Sequence, residues 1–385
     1  MENFTFFNPV KIHFGHGEIS QLSNEIPRDA RVMITYGGGS VIKNGILDKV
    51  RSSLNNNSII EFGGIEPNPH YETLQKAIVI AKNENIDFLL AVGGGSVIDG
   101  TKFISAASRY EGDAWDIIET RGSVVNDAIP IGCVLTLAAT GSEMNRGASI
   151  TKTATNDKLS FKSLYVLPRF SILDPETTFT LPPRQTANGV VDAFVHVLEQ
   201  YITYPANAKV QDRFAEGLLN TLKEEGPKAL LTPDDYNVRA NIMWSATMAL
   251  NGLLSAGTPG DWASHMIGME LTGLYGLDHG QTLAIVMPAL WQLKKEEKAE
   301  KLAQYARRVW GISESDTATM ADSAIVATIH FFEEMGIKTK LSDYGLGEEI
   351  IPIVISKLEE HGYTLLGEHN NINQKAVAEI LKLAL

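Results

Sequence analysis

Two stretches of the chain repeat one short grammar, and that repetition limits the folds open to it. An apolar run, Arg31–Tyr36 (RVMITY), ends in Gly-Gly-Gly-Ser at 37–40, and helical spacing follows in VIKNGILDKVRSSL. Further on, Asp87–Val92 (DFLLAV) ends in Gly-Gly-Gly-Ser at 93–96 and runs into VIDGTKFISAAS. Between the two, Tyr71–Asn83 has the spacing of a connecting helix behind the turn EPNPH. A third run, Ile129–Thr136, enters AATGSE at 138–143. Short apolar strands alternating with helices pair in parallel, through right-handed crossovers. Residues 1 to about 180 are therefore expected to form an α/β domain, with the opening FTFFNPVKIHFG as a strand or hairpin piece.

The pattern changes at Leu181–Pro183, where two prolines stand at positions that a first helical turn tolerates. Long runs of helical period follow, among them Val210–Glu224, Asp235–Leu254, Gln281–Lys294 and Ser323–Met335, so residues 181–385 read as an all-α domain. Two domains also suit a chain of 385 residues, which exceeds the usual size of one core.

A net charge of −13 argues against nucleic acid or an anionic membrane as partner. An anionic cofactor remains open, because backbone amides bind phosphate without a basic surface. A single cysteine, Cys133, excludes an intrachain disulfide and a thiolate metal site. No apolar run approaches roughly 18 residues, and no charged-then-apolar leader opens the chain, so a cytoplasmic location is expected.

A strand that ends in Gly-Gly-Gly-Ser and enters a helix turns backbone amides toward the positive end of the helix dipole, which suits a phosphate. One such loop reads equally well as a tight strand-to-helix turn. Two copies, with Thr140, Gly141 and Ser142 in a third turn, favour a dinucleotide site, although no G-x-G-x-x-G is present. A carboxylate usually holds the ribose hydroxyls of an unphosphorylated dinucleotide. Here no acid follows the first strand until Asp48, while Ser40 and Lys43 offer a hydroxyl and an ammonium, an environment better suited to a 2′-phosphate. Taken alone, Lys43 reads equally well as a solvated surface lysine.

In the second half, NGVVDAFVHVLEQ places Asp192 and His196 four residues apart on one helix face. The segment DWASHMIGMELTGLYGLDHG places His265 on an amphipathic helix and His279 just past a Gly-rich turn. Each alone has an ordinary reading, as a polar helix face or a satisfied core histidine. Together, on apolar flanks such as Val190, Val191, Phe194, Val195, Met266 and Ile267, they would be costly to bury without partners. One carboxylate and three imidazoles make a ligand set for a divalent metal, whether Fe, Zn, Co or Ni. The other histidines (His13, His16, His70, His330, His361, His369) sit in turns or polar contexts and read as structural.

The motifs GGGSVIDGTK, TLAATGSE, the Asp-Pro of SILDP, LPPRQTANGVVDAFVH, the His265 helix and LDHGQTLAIVMPALW together resemble the iron-containing (group III) alcohol dehydrogenase family. ITYGGGSV, FGGIEPNP and LSDYGL resemble its NADPH-dependent aldehyde reductase and butanol dehydrogenase branch. The resemblance implies a dehydroquinate synthase-like architecture. In it, an N-terminal dinucleotide-binding α/β domain precedes a helical metal-binding domain, with the active site in the cleft between them. It implies a metal held by Asp192, His196, His265 and His279. NADP(H) is the implied cofactor, since NAD-using relatives commonly carry aspartate where this chain has Gly39.

By the same resemblance, Gly37, Gly38, Gly39 and Ser40, with Lys43 nearby, lie near the adenosine ribose and its phosphate. Gly94, Gly95, Ser96 and Asp99 lie near the pyrophosphate and nicotinamide ribose, Thr136, Thr140 and Ser142 line the cofactor, and Lys158 stands beside the nicotinamide-side ribose. The implied activity is hydride transfer between NADP(H) and small aldehydes or primary alcohols, in an enzyme of a kind often found as a homodimer.

One departure stands out. The family usually carries a second histidine four residues after the third ligand, in the substrate pocket, and this chain has Met269 there. Methionine cannot titrate or donate a proton. Two other readings follow from the sequence. One is a protein that keeps cofactor and metal but has lost turnover through Met269. The other is a dehydroquinate-synthase-like lyase, which would need a basic cluster beside Asp192, His265 or His279 that the sequence does not place there.

Overall fold

The structure, a computed structural model, describes residues 1–313 and 316–385. The chain divides into two compact units. The first comprises residues 7–181 and 233–247 and is built on a sheet; the second comprises 1–6, 182–232 and 248–385 and is helical.

In the sheet unit, β1 (Lys11–Phe14), β2 (Arg31–Tyr36), β3 (Ser58–Phe62), β4 (Phe88–Gly93), β5 (Ile131–Leu135) and β8 (Phe170–Leu173) form one sheet in the order β1-β8-β5-β4-β2-β3. Every neighbouring pair is parallel, with Val32 opposite Phe88 and Leu89 opposite Ile131. A hairpin of β6 (Gly147–Lys152) and β7 (Asp157–Lys162) stands apart from it. The central strands β4 and β5 are buried along their whole length. Leu89 and Ala91 point into a core with Phe103, Trp115 and Cys133. Leu90 and Val92 point into a second core with Val32, Ile34, Val134 and Phe170. Cover on both faces explains why DFLLAV shows no polar alternation.

The opening segment forms no hairpin: β1 begins only at Lys11 and pairs in parallel with β8, because the extended partner available to it is the last strand of the sheet. The run after the first glycine loop is broken into Ser40–Lys43 and Ile46–Ser53 around Asn44–Gly45.

The helical unit contains Pro183–Tyr201, Lys209–Leu231, Ala263–Tyr275, His279–Leu293, Lys295–Tyr305, Thr317–Glu334, Ile351–Glu360 and Gln374–Leu383. Its core is partly aromatic: the Phe194 ring centre lies 4.7 Å from that of Phe331, and Trp291 and Tyr305 are fully buried. The two units are not separated by a single cut in the sequence. Residues 233–247, most of the helix Tyr236–Ala249, pack with the sheet, where Met243 joins its core and Trp244 meets Phe14 edge-on at 5.8 Å.

Candidate functional site

In the sheet unit the glycine loops share one edge by construction. Strands β2, β4 and β5 are adjacent and parallel, so the turns that follow them lie side by side at their carboxyl ends. The chain leaves β2 for β3 on one side and returns to β4 on the other, so the sheet reverses its direction of winding between β2 and β4. Such a switch point opens the crevice where open α/β sheets bind ligands. Both Gly-Gly-Gly-Ser loops flank it.

The two loops differ in what they open. Gly37, Gly38, Gly39 and Ser40 lead into a single turn, Ser40–Lys43, with Gly39 at φ 97° and Ser40 and Lys43 exposed. Gly93–Ser96 leads into the helix Gly95–Ala107, whose first amides receive no side-chain cap. The second loop therefore offers the stronger phosphate cradle. A Cβ on Gly95 would stand 2.4 Å from Thr140 Oγ1, so only glycine lets this turn rest against the Thr140–Ser142 turn.

Hydrogen bonds hold these turns. Ser142 Oγ donates to Asp99 Oδ1 at 2.5 Å, and the Ser149 amide donates to Asp99 Oδ2 at 2.9 Å. The fully buried Lys102 donates to Ser142 Oγ and to the carbonyls of Asn145 and Gly147. Burial pulls its ammonium down to about 8, while the Asp99 carboxylate acts in the opposite sense. Lys158 donates to Asn68 Oδ1 at 2.8 Å, and the Asn68 amide donates to Ser96 Oγ at 3.2 Å. Asn68, which the sequence reading passed over, thus ties the second loop to Lys158 from a left-handed backbone at φ 55°. Its signal was the turn EPNPH, since asparagine tolerates that conformation. Thr136 is buried at the end of β5.

In the helical unit, Pro183 starts the helix that carries Asp192, His196 and Glu199. These stand at i, i+4 and i+7, on one face. His279 is the first residue of its helix, fixed by a capping box between Asp278 and Gln281. Asp278 also accepts from Arg184 Nε at 2.8 Å and from Asn188 Nδ2 at 2.5 Å, which docks this helix start on the Asp192 helix. A Cβ on Gly280 would meet the Asn188 carbonyl at 2.7 Å, so the backbones approach closely enough to bring His279 to Asp192.

Asp192, His265 and His279 each present one ligand atom, and these atoms lie within 4.8 Å of one another. His196 falls outside that set but borders it. Its Nδ1 is 3.6 Å from Asp192 Oδ1, and its ring stacks on His265 with centres 4.6 Å apart. Asp192, His196 and His265 are buried, whereas the His279 side chain keeps 23% of its surface exposed. The cluster is closed at the back and open at His279, as catalytic metal sites are. Burial pulls His196 down to about 4, outweighing the Asp192 carboxylate, so its imidazole is neutral at physiological pH. Its Nδ1 is buried and has no hydrogen-bond partner. A neutral, unspent imidazole nitrogen beside a buried carboxylate and two further imidazoles fits a divalent metal.

Two residues around the cluster escaped the sequence reading. Glu199 Oε2 lies 2.9 Å from His265 Nδ1, and its Oε1 accepts from the Ser264 amide at 2.9 Å. The spacing D-x-x-x-H-x-x-E was the available signal. Trp262 stands at φ 61°, unusual for a bulky residue, with its ring 5.2 Å from that of His265. Nothing local in the sequence marks it. Met269 is buried in the His265 helix. His361 lies in a turn, as expected, with its side chain buried against Glu270, 2.7 Å from Nδ1 to Oε1. A buried cation does lie near the cluster: Lys298 binds Asp261 at 2.8 Å, Glu368 at 2.6 Å and the Ile202 carbonyl at 3.0 Å. Those three contacts occupy its three N–H groups, leaving none to grip a substrate phosphate.

Sequence comparison agrees with this arrangement. Residues 9–175 match the iron-containing alcohol dehydrogenase family, and residues 186–385 match its C-terminal domain. The chain belongs to the iron-containing alcohol dehydrogenase family. Along the full length of both chains it is 57% identical to the NADPH-dependent aldehyde reductase YqhD of Escherichia coli. It is 42% identical, again over the full length of both, to a probable NADH-dependent butanol dehydrogenase of Bacillus subtilis. The crystal structure of E. coli YqhD superposes with a TM-score of 0.99 at 56% identity, covering 100% of this chain and 99% of that one. Membership makes the chain an oxidoreductase of α/β plus all-α architecture, and the lyase reading is not favoured.

Proposed function

We propose that this alcohol dehydrogenase family member transfers hydride reversibly between NADP(H) and small aldehydes or primary alcohols, with aldehyde reduction the favoured direction. The observation that carries the proposal is the meeting of Asp192, His265 and His279 ligand atoms within 4.8 Å. Likeness to a named NADPH-dependent aldehyde reductase supports the choice of substrate and cofactor.

In this reading Asp192, His196, His265 and His279 hold one divalent metal, which when bound polarises a carbonyl oxygen as a Lewis acid. NADPH, when bound, would supply the hydride. The backbone amides at Gly94, Gly95 and Ser96 take the pyrophosphate, Thr136, Thr140 and Ser142 line the cofactor, and Asp99 and Lys158 stand at the nicotinamide ribose. Gly37, Gly38, Gly39, Ser40 and Lys43 leave room and positive charge for a 2′-phosphate, where an aspartate at 39 would repel it. Met269 gives the substrate pocket an apolar wall and delivers no proton, so the product oxygen is protonated by water or a hydroxyl relay.

We also read the protein as a cytoplasmic homodimer. No helix among the described residues is long and apolar enough to cross a membrane. The edge strand β1 carries a partly exposed Phe14, and Phe4, Phe6 and Phe7 are exposed ahead of it. Analytical ultracentrifugation checks the dimer; a monomer at micromolar concentration refutes it.

The main test strips metal with a chelator and follows NADPH oxidation with butanal. Turnover should fall to background and return on adding Zn²⁺ or Fe²⁺. Undiminished turnover without metal would refute the Lewis-acid role, and a lack of aldehyde-dependent oxidation in the metal-loaded protein would refute the activity.

A further inference from the structure

Behind the metal cluster the helical unit buries more charge than hydrophobic packing requires. Glu199, Asp261, Lys298 and Glu368 have side chains only 1%, 4%, 3% and 5% exposed. Three carboxylates thus face one ammonium. Unless offset, burying such a cluster is unfavourable. A divalent cation on the far side of His265 would relieve that excess of negative charge.

The geometry gives Glu199 more than a share of charge. Its Oε2 faces His265 Nδ1 at 2.9 Å, and its Oε1 accepts the Ser264 amide at 2.9 Å. Its main-chain carbonyl accepts the Asp261 amide at 2.9 Å, and Asp261 caps the Ala263 amide at 3.2 Å while binding Lys298. One residue of the Asp192 helix therefore staples the segment leading into the His265 helix and its first turn at three points, including the ligand ring. A carboxylate at Nδ1 fixes the proton there and leaves the lone pair on Nε2, toward Asp192 and His279.

We infer that Glu199 is a positioning residue of the metal site, fixing the tautomer and ring angle of His265 and supplying negative charge that strengthens cation binding, with Lys298 anchoring the staple through Asp261. The inference rests on the proposed metal site and extends it to a residue outside the ligand set.

The test uses the full-length protein, stripped by chelator and reloaded with Co²⁺, whose visible spectrum reports ligand geometry. Loss of a carboxylate behind a ligand histidine typically weakens metal binding about 10–100-fold. Glu199→Gln should show that loss, with an altered Co²⁺ spectrum, and Glu199→Asp should recover part of it. Glu270→Gln removes an equally buried carboxylate, paired with His361, and should lower thermal stability while leaving Co²⁺ affinity unchanged. In metal-free protein, ring ¹⁵N shifts should show His265 protonated on Nδ1, and a tautomer mixture in Glu199→Gln. Wild-type Co²⁺ affinity in Glu199→Gln, or an equal loss in Glu270→Gln, would overturn the inference. Failure of the metal site itself is distinguishable: Asp192→Asn would then bind Co²⁺ as wild type does, whatever happens at Glu199.

Discussion

Replacing Gly95 by alanine probes the packing of the two turns proposed to cradle the pyrophosphate. The added Cβ would stand 2.4 Å from Thr140 Oγ1, 2.6 Å from Cγ2 and 3.0 Å from Cβ. That is roughly 1 Å inside van der Waals contact. Thr140 yields poorly: it is β-branched, and its hydroxyl accepts the Ser142 amide at 3.2 Å. Ser142 in turn is held by Asp99 and Lys102. The loops must therefore separate, at an overpacking cost of about 1–3 kcal/mol. Lower backbone entropy in the unfolded chain offsets only about 0.4–1 kcal/mol of this. Displacing the helix start also weakens its hydrogen bonds to an anionic pyrophosphate, each worth about 1.5–3 kcal/mol. Losing one raises the NADPH Kd about 10- to 100-fold. Urea denaturation measures the first quantity and quenching of protein fluorescence by NADPH the second. Thr140→Ala in the Gly95→Ala background should recover part of the stability. Wild-type values of both would refute the packing argument, and lower stability with an unchanged Kd would refute the placement of the cofactor at this loop.

Other substitutions address the remaining parts of the site. Gly39→Asp places a carboxylate where a 2′-phosphate is expected, at φ 97°. It should cost on the order of 1–2 kcal/mol in stability and lower the NADPH-to-NADH affinity ratio more than tenfold; an unchanged ratio refutes the 2′-phosphate assignment. Met269→His adds a group with an ordinary pKa near 6.5. Turnover should rise several-fold and acquire an inflection near neutral pH, and an unaltered pH–rate profile would show that residue 269 takes no part in proton delivery. Burial holds Lys102 at about 8 in the folded protein against an ordinary 10.5, so between those values the unfolded chain binds more protons. Its contribution makes stability rise with pH across that window, by about 1–2 kcal/mol between pH 7.5 and 9.5. Lys102→Met should flatten the rise in urea denaturation, and the same slope in both proteins refutes the assignment.

The fold was legible where periodicity is strong. RVMITY and DFLLAV are strands because β-branched and apolar residues run on without alternation, and the prolines at 182 and 183 mark the entry to a helical half. The antiparallel hairpin β6–β7 was not legible, since Gly147–Lys152 and Asp157–Lys162 are half polar and pair with each other outside the main sheet. Nor was the return of residues 233–247 to the sheet unit, because a helix that packs against another unit has the same period as one that packs at home.

Local sequence determined the groups at hand: helix spacing alone puts Asp192, His196 and Glu199 on one face, and strand-then-glycine order alone makes turns that open backbone amides at a helix start. Tertiary structure decided which of those groups meet. His279 reaches Asp192 because its helix docks on the Asp192 helix through Asp278 and the bare backbone of Gly280, and the His265 helix packs closely on the His279 helix at Gly268. Glu199 faces the His265 ring rather than solvent because that docking closes over it. Burial then separates the roles, leaving His196 a neutral donor and Lys102 a clamp, since the cost of burying charge depends on neighbours far away in the sequence.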